Sequence, residues 1–185
     1  MYRNIGILTV ALLFFGTTSN AQDDTEDERI TFVEVSQGFG GNFYLNYLEY
    51  NPSTNIHIGH GREVAPNTLI LAGTGVELYD QSMLIPLFVR AKREIKRQFF
   101  FLDLGYSIGV LNTEYDYEEY QYHGGILAGL GYGITIWRPE SATMNIIAAY
   151  QYRKASLTFE PLDVEGELKS KYHFNHIAIG ASLEF

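Results

Sequence analysis

Phe100-Phe101-Leu102-Asp103-Leu104-Gly105-Tyr106-Ser107-Ile108-Gly109-Val110 is a run whose even positions are all apolar, while positions 103, 105, 107 and 109 hold Asp, Gly, Ser and Gly. Side chains alternate across a strand, so this segment makes a strand with one oily face and one small or charged face. Which face turns inward decides the fold. A soluble barrel would bury the oily face and expose an exterior made largely of glycine, a poor way to hold a strand in water. The opposite arrangement suits an eight-stranded barrel, whose interior is only just wide enough for side chains. Glycines there make room for Phe88, Phe99 and Phe101, and lipid becomes the partner of the oily face.

The pattern recurs. Ile126, Ala128, Leu130, Tyr132, Ile134 and Ile136 alternate with Gly125, Gly129, Gly131, Gly133 and Thr135, and Ile146, Ala148, Tyr150 and Tyr152 stand against Asn145, Gln151 and Arg153. The run Ile177 to Phe185 repeats it at the C-terminal end. Eight strands are expected: Ile30 to Gly40, Thr54 to Glu63, Thr68 to Tyr79, Met83 to Ile95, Gln98 to Leu111, His123 to Trp137, Thr143 to Phe159 and Lys171 to Phe185. Each is long enough for the roughly 9 to 11 residues a tilted strand needs to cross a bilayer. Ala65-Pro66-Asn67, Lys96-Arg97 and Pro139-Glu140-Ser141-Ala142 are short connectors, whereas Gly41 to Ser53, Asn112 to Tyr122 and Glu160 to Ser170 read as long loops; Asp80-Gln81-Ser82 breaks the alternation. Short turns on the periplasmic side and long loops outside are expected of outer-membrane barrels. Tyr79, Tyr106, Tyr132, Tyr150 and Phe185 are expected as interfacial girdles.

The rest of the chain agrees with export. Met1 to Asn4 carry one cation, Ile5 to Phe15 form an apolar run, and Ser19-Asn20-Ala21 supplies small residues, which reads as a signal peptide cut after Ala21. Residues 22–29 form an acidic, flexible-looking segment, and 30–185 the barrel. The apolar run is shorter than the about 20 residues of a membrane-spanning helix. With 12 basic residues left after the cut against 22 acidic ones, the mature charge is −10, which disfavours nucleic acid as a partner. With no cysteine there is neither a disulfide framework nor a thiolate metal site.

The segments Ser36-Gln37-Gly38-Phe39-Gly40, Leu84-Ile85-Pro86-Leu87-Phe88-Val89-Arg90 and Phe100 to Gly109, with the terminal strand, resemble the outer-membrane protein β-barrel domain family over nearly all of the mature chain. The resemblance implies an all-β, eight-stranded, antiparallel up-and-down transmembrane barrel, monomeric, with no reaction and no cofactor. It also implies delivery to the barrel-assembly machinery, with Phe185 as the terminal aromatic that machinery reads, and outer-membrane lipid and lipopolysaccharide as surroundings.

By parity, Glu34, Glu77, Arg90, Lys92, Asp103, Arg153 and Glu184 point into the lumen. A hairpin centred on Lys96-Arg97 sets Arg90 opposite Asp103, so an inward pair is expected there. Buried charges must be paired or hydrated, because an isolated one costs several kcal/mol. The plain function of such a network is to plug the barrel; the alternative is a gated ion path. Glu114, Tyr115, Asp116, Tyr117, Glu118, Glu119, Tyr120 and Tyr122 crowd carboxylates and tyrosines into one loop, suited to solvent, to a surface partner, or to a hard cation such as Ca²⁺. His57 and His60, three apart, fall on opposite strand faces and so make a poor metal pair. Two rival readings stand beside the barrel that serves the envelope: a soluble periplasmic lipocalin-like barrel, and a lipid-modifying barrel enzyme using His, Ser and a carboxylate.

Overall fold

In a computed structural model of the chain, residues 29–44, 47–79, 82–110, 112–115, 118–160 and 168–185 are described. Residues 1–28, which hold the expected signal peptide and all but the last residue of the expected segment 22–29, therefore lie outside the described residues. Eight long strands form the barrel: β1 (Arg29–Tyr44), β3 (Ser53–Ala65), β4 (Thr68–Leu78), β5 (Met83–Ile95), β6 (Gln98–Gly109), β9 (Gly125–Trp137), β10 (Thr143–Glu160) and β11 (Leu168–Glu184). Three short strands, β2 (Tyr47–Tyr50), β7 (Asn112–Tyr115) and β8 (Glu118–His123), extend it at one end. Each long strand pairs antiparallel with the next, and β11 pairs with both β10 and β1, so the sheet closes on itself.

Two tight connections set the register at the other end. Between β3 and β4 the turn residues are Pro66 and Asn67, the latter at φ 58°; between β5 and β6 they are Lys96 and Arg97, with Lys96 at φ 60°. Asn adopts the left-handed region at little cost; Lys does so less readily. From Ile95↔Gln98 the β5–β6 ladder runs without a shift to Leu84↔Gly109.

Alternation settles which face is which. Leu102, Leu104 and Ile134 are 43%, 55% and 44% exposed, while Phe99 and Phe101 on the opposite face are buried. Leu87, Val89, Ile126, Leu130, Ile146, Ile177 and Ile179 join them on the exterior. An apolar wall of this extent is far larger than soluble proteins expose, and it matches the hydrocarbon band of a membrane barrel. A lipocalin-like soluble barrel needs the reverse arrangement, a polar exterior around an oily interior, and that reading falls.

The lumen is filled by fitting rings over glycines on the neighbouring strand. Phe32 lies opposite Gly59, Phe88 opposite Gly73, Phe101 opposite Gly131 and Phe99 opposite Gly133. A Cβ added at Gly131 or Gly133 would meet the Cζ of Phe101 or Phe99 at 2.1 Å, closer than atoms can sit. Here glycine is used for its missing side chain rather than for its backbone freedom.

Three expectations need correction. The stretches Gly41 to Ser53 and Asn112 to Tyr122 are not plain loops: β1 continues to Tyr44 and pairs with β2, and β7 and β8 form a hairpin whose second strand adds to β10. The strand expected from His123 is divided at Gly124. Between His123↔Ser156 and Leu127↔Arg153, three residues on one side oppose two on the other, a bulge that hands the edge from β9 to β8. Tyr79 is not an outer girdle residue. It shares the parity of Glu77, is buried, and packs against Phe174 in a tilted pair with centroids 5.0 Å apart.

Replacing Gly131 by Ala should destabilise the barrel by about 1 to 3 kcal/mol, because Phe101 must leave its rotamer or the strands must part. Urea unfolding in lipid vesicles measures this. The double variant G131A/F101L should recover most of the loss; if it does not, the ring is not what occupies that space.

Candidate functional site

Within the lumen five charged side chains from five different strands meet. Arg90 of β5 grips Asp103 of β6 with two parallel bonds, Nε to Oδ1 at 2.7 Å and Nη2 to Oδ2 at 2.8 Å, and its Nη1 donates to Oε2 of Glu34 on β1 at 2.7 Å. Arg153 of β10 donates from Nε to both oxygens of Glu77 on β4 at 2.9 Å, and from Nη2 to Oε1 at 2.5 Å. Two-pronged contacts of this kind are the strongest and most directional that a carboxylate makes.

His57 of β3 joins the two groups. Its Nδ1 lies 3.4 Å from Glu34 and its Nε2 3.2 Å from Glu77. Its two nitrogens thus bridge the two arginine–carboxylate groups. The result is an unbroken chain across the barrel, Asp103, Arg90, Glu34, His57, Glu77, Arg153, with the Tyr79 hydroxyl also donating to Glu77 at 3.3 Å. Both nitrogens of His57 are spent on carboxylates rather than on a serine hydroxyl, so it is not the base of a nucleophile pair.

Aromatic faces enclose the chain. The guanidinium carbon of Arg90 sits 4.2 Å from the Phe101 centroid and 4.7 Å from that of Phe32. A cation held between rings and bonded to two carboxylates has its charge answered in every direction.

Lys92 and Glu184, grouped with these residues on parity alone, belong to a second cluster nearer the short turns. Lys92 Nζ lies over Phe99 at 4.2 Å and donates to both oxygens of Glu184 at 2.7 Å and to Glu94 at 2.8 Å, while Arg138 reaches Glu94 at 3.0 Å. Below it opens a vestibule of about 440 Å³ whose lining includes Arg29, Glu63, Glu94, Arg138 and Glu184. Neutral networks complete the filling. Asn55 donates to Ser36 at 3.3 Å and to Gln151 at 3.2 Å, and Asn145 joins Thr135 and Ser182. At the end with the extended hairpins, Tyr79, Phe174 and His176 pack together, and His176 Nε2 donates to the Asn51 carbonyl at 2.6 Å.

The residues missed from sequence are His57, His176 and the amides. Parity was the available signal, since His57 lies two positions from both Asn55 and Gly59 on the inner face. His60, on the other face, is exposed and contacts Thr31. His123 is also exposed, and His173 meets the Tyr152 hydroxyl. Among the described residues no group of three or more His, Asp or Glu side chains is placed to hold a metal ion.

Of the acidic tyrosine run, Glu114 faces Glu119 and Tyr115 faces Glu118 across the β7–β8 hairpin, Tyr120 faces Thr113, and Glu119 also faces Glu160 of β10. Asp116 and Tyr117 lie outside the described residues. Phe185 is 43% exposed, and its backbone exchanges two hydrogen bonds with Thr31 of β1.

No family model and no curated protein matches the chain. Solved structures do. The outer membrane protein AlkL, determined in lipid bilayers, superposes with a TM-score of 0.57 at 12% identity over 90% of this chain and 94% of that one. The outer membrane protein OprG from Pseudomonas aeruginosa gives 0.53 at 9% identity over 85% and 95%. At such identities the likeness is one of fold. The class it defines, together with the apolar exterior and the charged, filled lumen, is the small eight-stranded antiparallel barrel of outer-membrane type.

Replacing Glu77 by Leu strands Arg153 and one side of His57 in a buried site and should cost about 3 to 5 kcal/mol in unfolding free energy. The double variant E77L/R153M, which removes both partners, should regain at least half of that in the same urea titration. Equal losses for single and double variants would mean the pair is not coupled.

Proposed function

We propose that this protein is an exported, monomeric barrel integral to the outer membrane, with a sealed lumen, that serves the envelope itself and presents its extended hairpins at the cell surface. It carries out no reaction in this reading. Its surroundings are outer-membrane lipid and lipopolysaccharide, it reaches them through the barrel-assembly machinery, and nucleic acid is not among its partners in this reading. The observation that carries the reading is the filled lumen. Charges bound to one another, rings seated over glycines and amide networks occupy successive levels, so free solute passage as in a general porin has no path.

The ion-path alternative would require the Arg90 cluster to act as a gate. Planar-bilayer recordings on Arg90→Met separate the two. A plug spread over several levels keeps the low conductance of the unmodified barrel after one guanidinium is lost, because Phe32, Phe88 and Phe101 still close that level. A reproducible rise in conductance would sink the plug.

The surface role rests on the hairpin β7–β8, whose register pairs Glu114 with Glu119. Like charges directly across a ladder are unfavourable alone, and a bound cation or a basic partner relieves them. Calorimetry with Ca²⁺ tests the cation version. Affinity capture from intact cells, with residues 112–122 present or deleted, tests the partner version. Heat of binding, or a protein captured only when the hairpin is present, supports a recognition role; neither leaves the barrel a structural element of the membrane.

A further inference from the structure

Parity sorts charge by sign at the end of the barrel with the short turns. Arg62 and Arg93 are exposed on the outer face, whereas the residues that follow each of them, Glu63 and Glu94, are half-buried toward the interior. Lys92 answers Glu94 and Glu184 from within the lumen. Around the same rim Arg29, Lys96, Arg97 and Arg138 are exposed as well, and the exposed side-chain carboxylate found there among the described residues is Glu140. On these strands Arg62 and Arg93 stand outside and Glu63 and Glu94 inside, while Arg138 turns back to Glu94 and lines the vestibule with Arg29.

The cations stand where the apolar wall ends. Arg93 pairs across the ladder with Phe100, which is 50% exposed, and Arg62 pairs with Ile70. Trp137, 58% exposed, directly precedes Arg138, and the Arg97 carbonyl accepts from Thr135 two residues before that Trp. A tryptophan on the outside of a membrane barrel lies at the level of the lipid headgroups.

We propose that this outward collar binds anionic phospholipid headgroups, of phosphatidylglycerol type, in the periplasmic leaflet. The inference rests on the outer-membrane orientation proposed above, with the short turns in the periplasm. Basic residues at a membrane surface attract anionic lipid, and guanidinium groups match phosphate geometry in two-pronged fashion. The competing occupant is the acidic segment of the same chain, Asp23, Asp24, Glu26, Asp27 and Glu28, which leads into Arg29. Arg62 and Arg93 lie on the outer face of their strands, Arg93 next to exposed Phe100 and Ile95, and that placement favours lipid.

The chain holds a single tryptophan, so its fluorescence reports on this rim. The mature chain is folded into phosphatidylcholine vesicles containing phosphatidylglycerol, with either one or the other lipid brominated at equal mole fraction, and quenching of Trp137 is compared. Phosphatidylglycerol should associate about fivefold more strongly than phosphatidylcholine. The preference should shrink at about 0.5 M salt, where screening is short-ranged, and approach parity in R93Q/K96N/R97Q. Heat-dependent gel mobility and circular dichroism show separately whether each sample is an inserted barrel, so a failure of the fold is distinguishable from a failure of the collar; the salt titration needs no variant. Equal quenching in the unmodified chain, or a preference surviving the triple variant, would overturn the proposal. So would a preference that appears only after the five acids of residues 23 to 28 are changed to amides, because the collar would then belong to that segment.

Discussion

Everything in this barrel depends on the seam between its first and last strands. In lipid an unpaired backbone N–H or C=O has no water to turn to, so a spanning sheet must close or not exist. β1 and β11 close it over a continuous ladder from Phe32↔Glu184 to Asn42↔Phe174, and Phe185 adds two bonds to Thr31. The same seam assembles the interior. Glu34 rides on β1 and Glu184 on β11, and their cationic partners, Arg90 and Lys92, both stand on β5 across the lumen. Neither ion pair can form before the cylinder does.

The interior then faces a problem of its own, because removing charges from water is expensive. The solution is saturation. Arg90 spends its donors on two carboxylates and its faces on aromatic rings, and Glu77 is met by Arg153, His57 and Tyr79. Such clusters contribute less to stability than their bond lengths suggest, since well-packed apolar replacements often do as well. Their clearer contribution is to register: a one-residue slip of β5 would turn Arg90 and Lys92 toward lipid and Val89 toward charge.

Much of this was legible in the chain. Alternation in Phe100 to Val110 and Ile126 to Ile136 located the strands and their two faces, because a period of two has one structural meaning when one partner set is glycine. The Lys96-Arg97 turn placed Arg90 opposite Asp103 by counting. Other features were not legible. The hairpin extensions of β1, β7 and β10 continue as strands through stretches rich in Tyr, Asn and Glu, where no change of composition marks the end of the barrel. Tyr79 was assigned by residue type to an outer girdle, although its parity with Glu77 turned it inward. His57 could be placed on the inner face, but nothing along the chain said that Glu34 and Glu77, carried by the strands on either side of it, would lie on its two nitrogens.

Local alternation, the turn residues and the signs of the charges therefore determined by themselves that the chain makes a barrel, how its strands run and which side chains face inward. Each of these depends on neighbours within one strand or one hairpin, at distances a sequence records. Which inward charges meet was decided only by closure. Glu34 with Arg90, Glu77 with Arg153 and Lys92 with Glu184 are separated by 56, 76 and 92 positions and come together across the lumen, where the stagger of eight strands, rather than any local pattern, sets who faces whom.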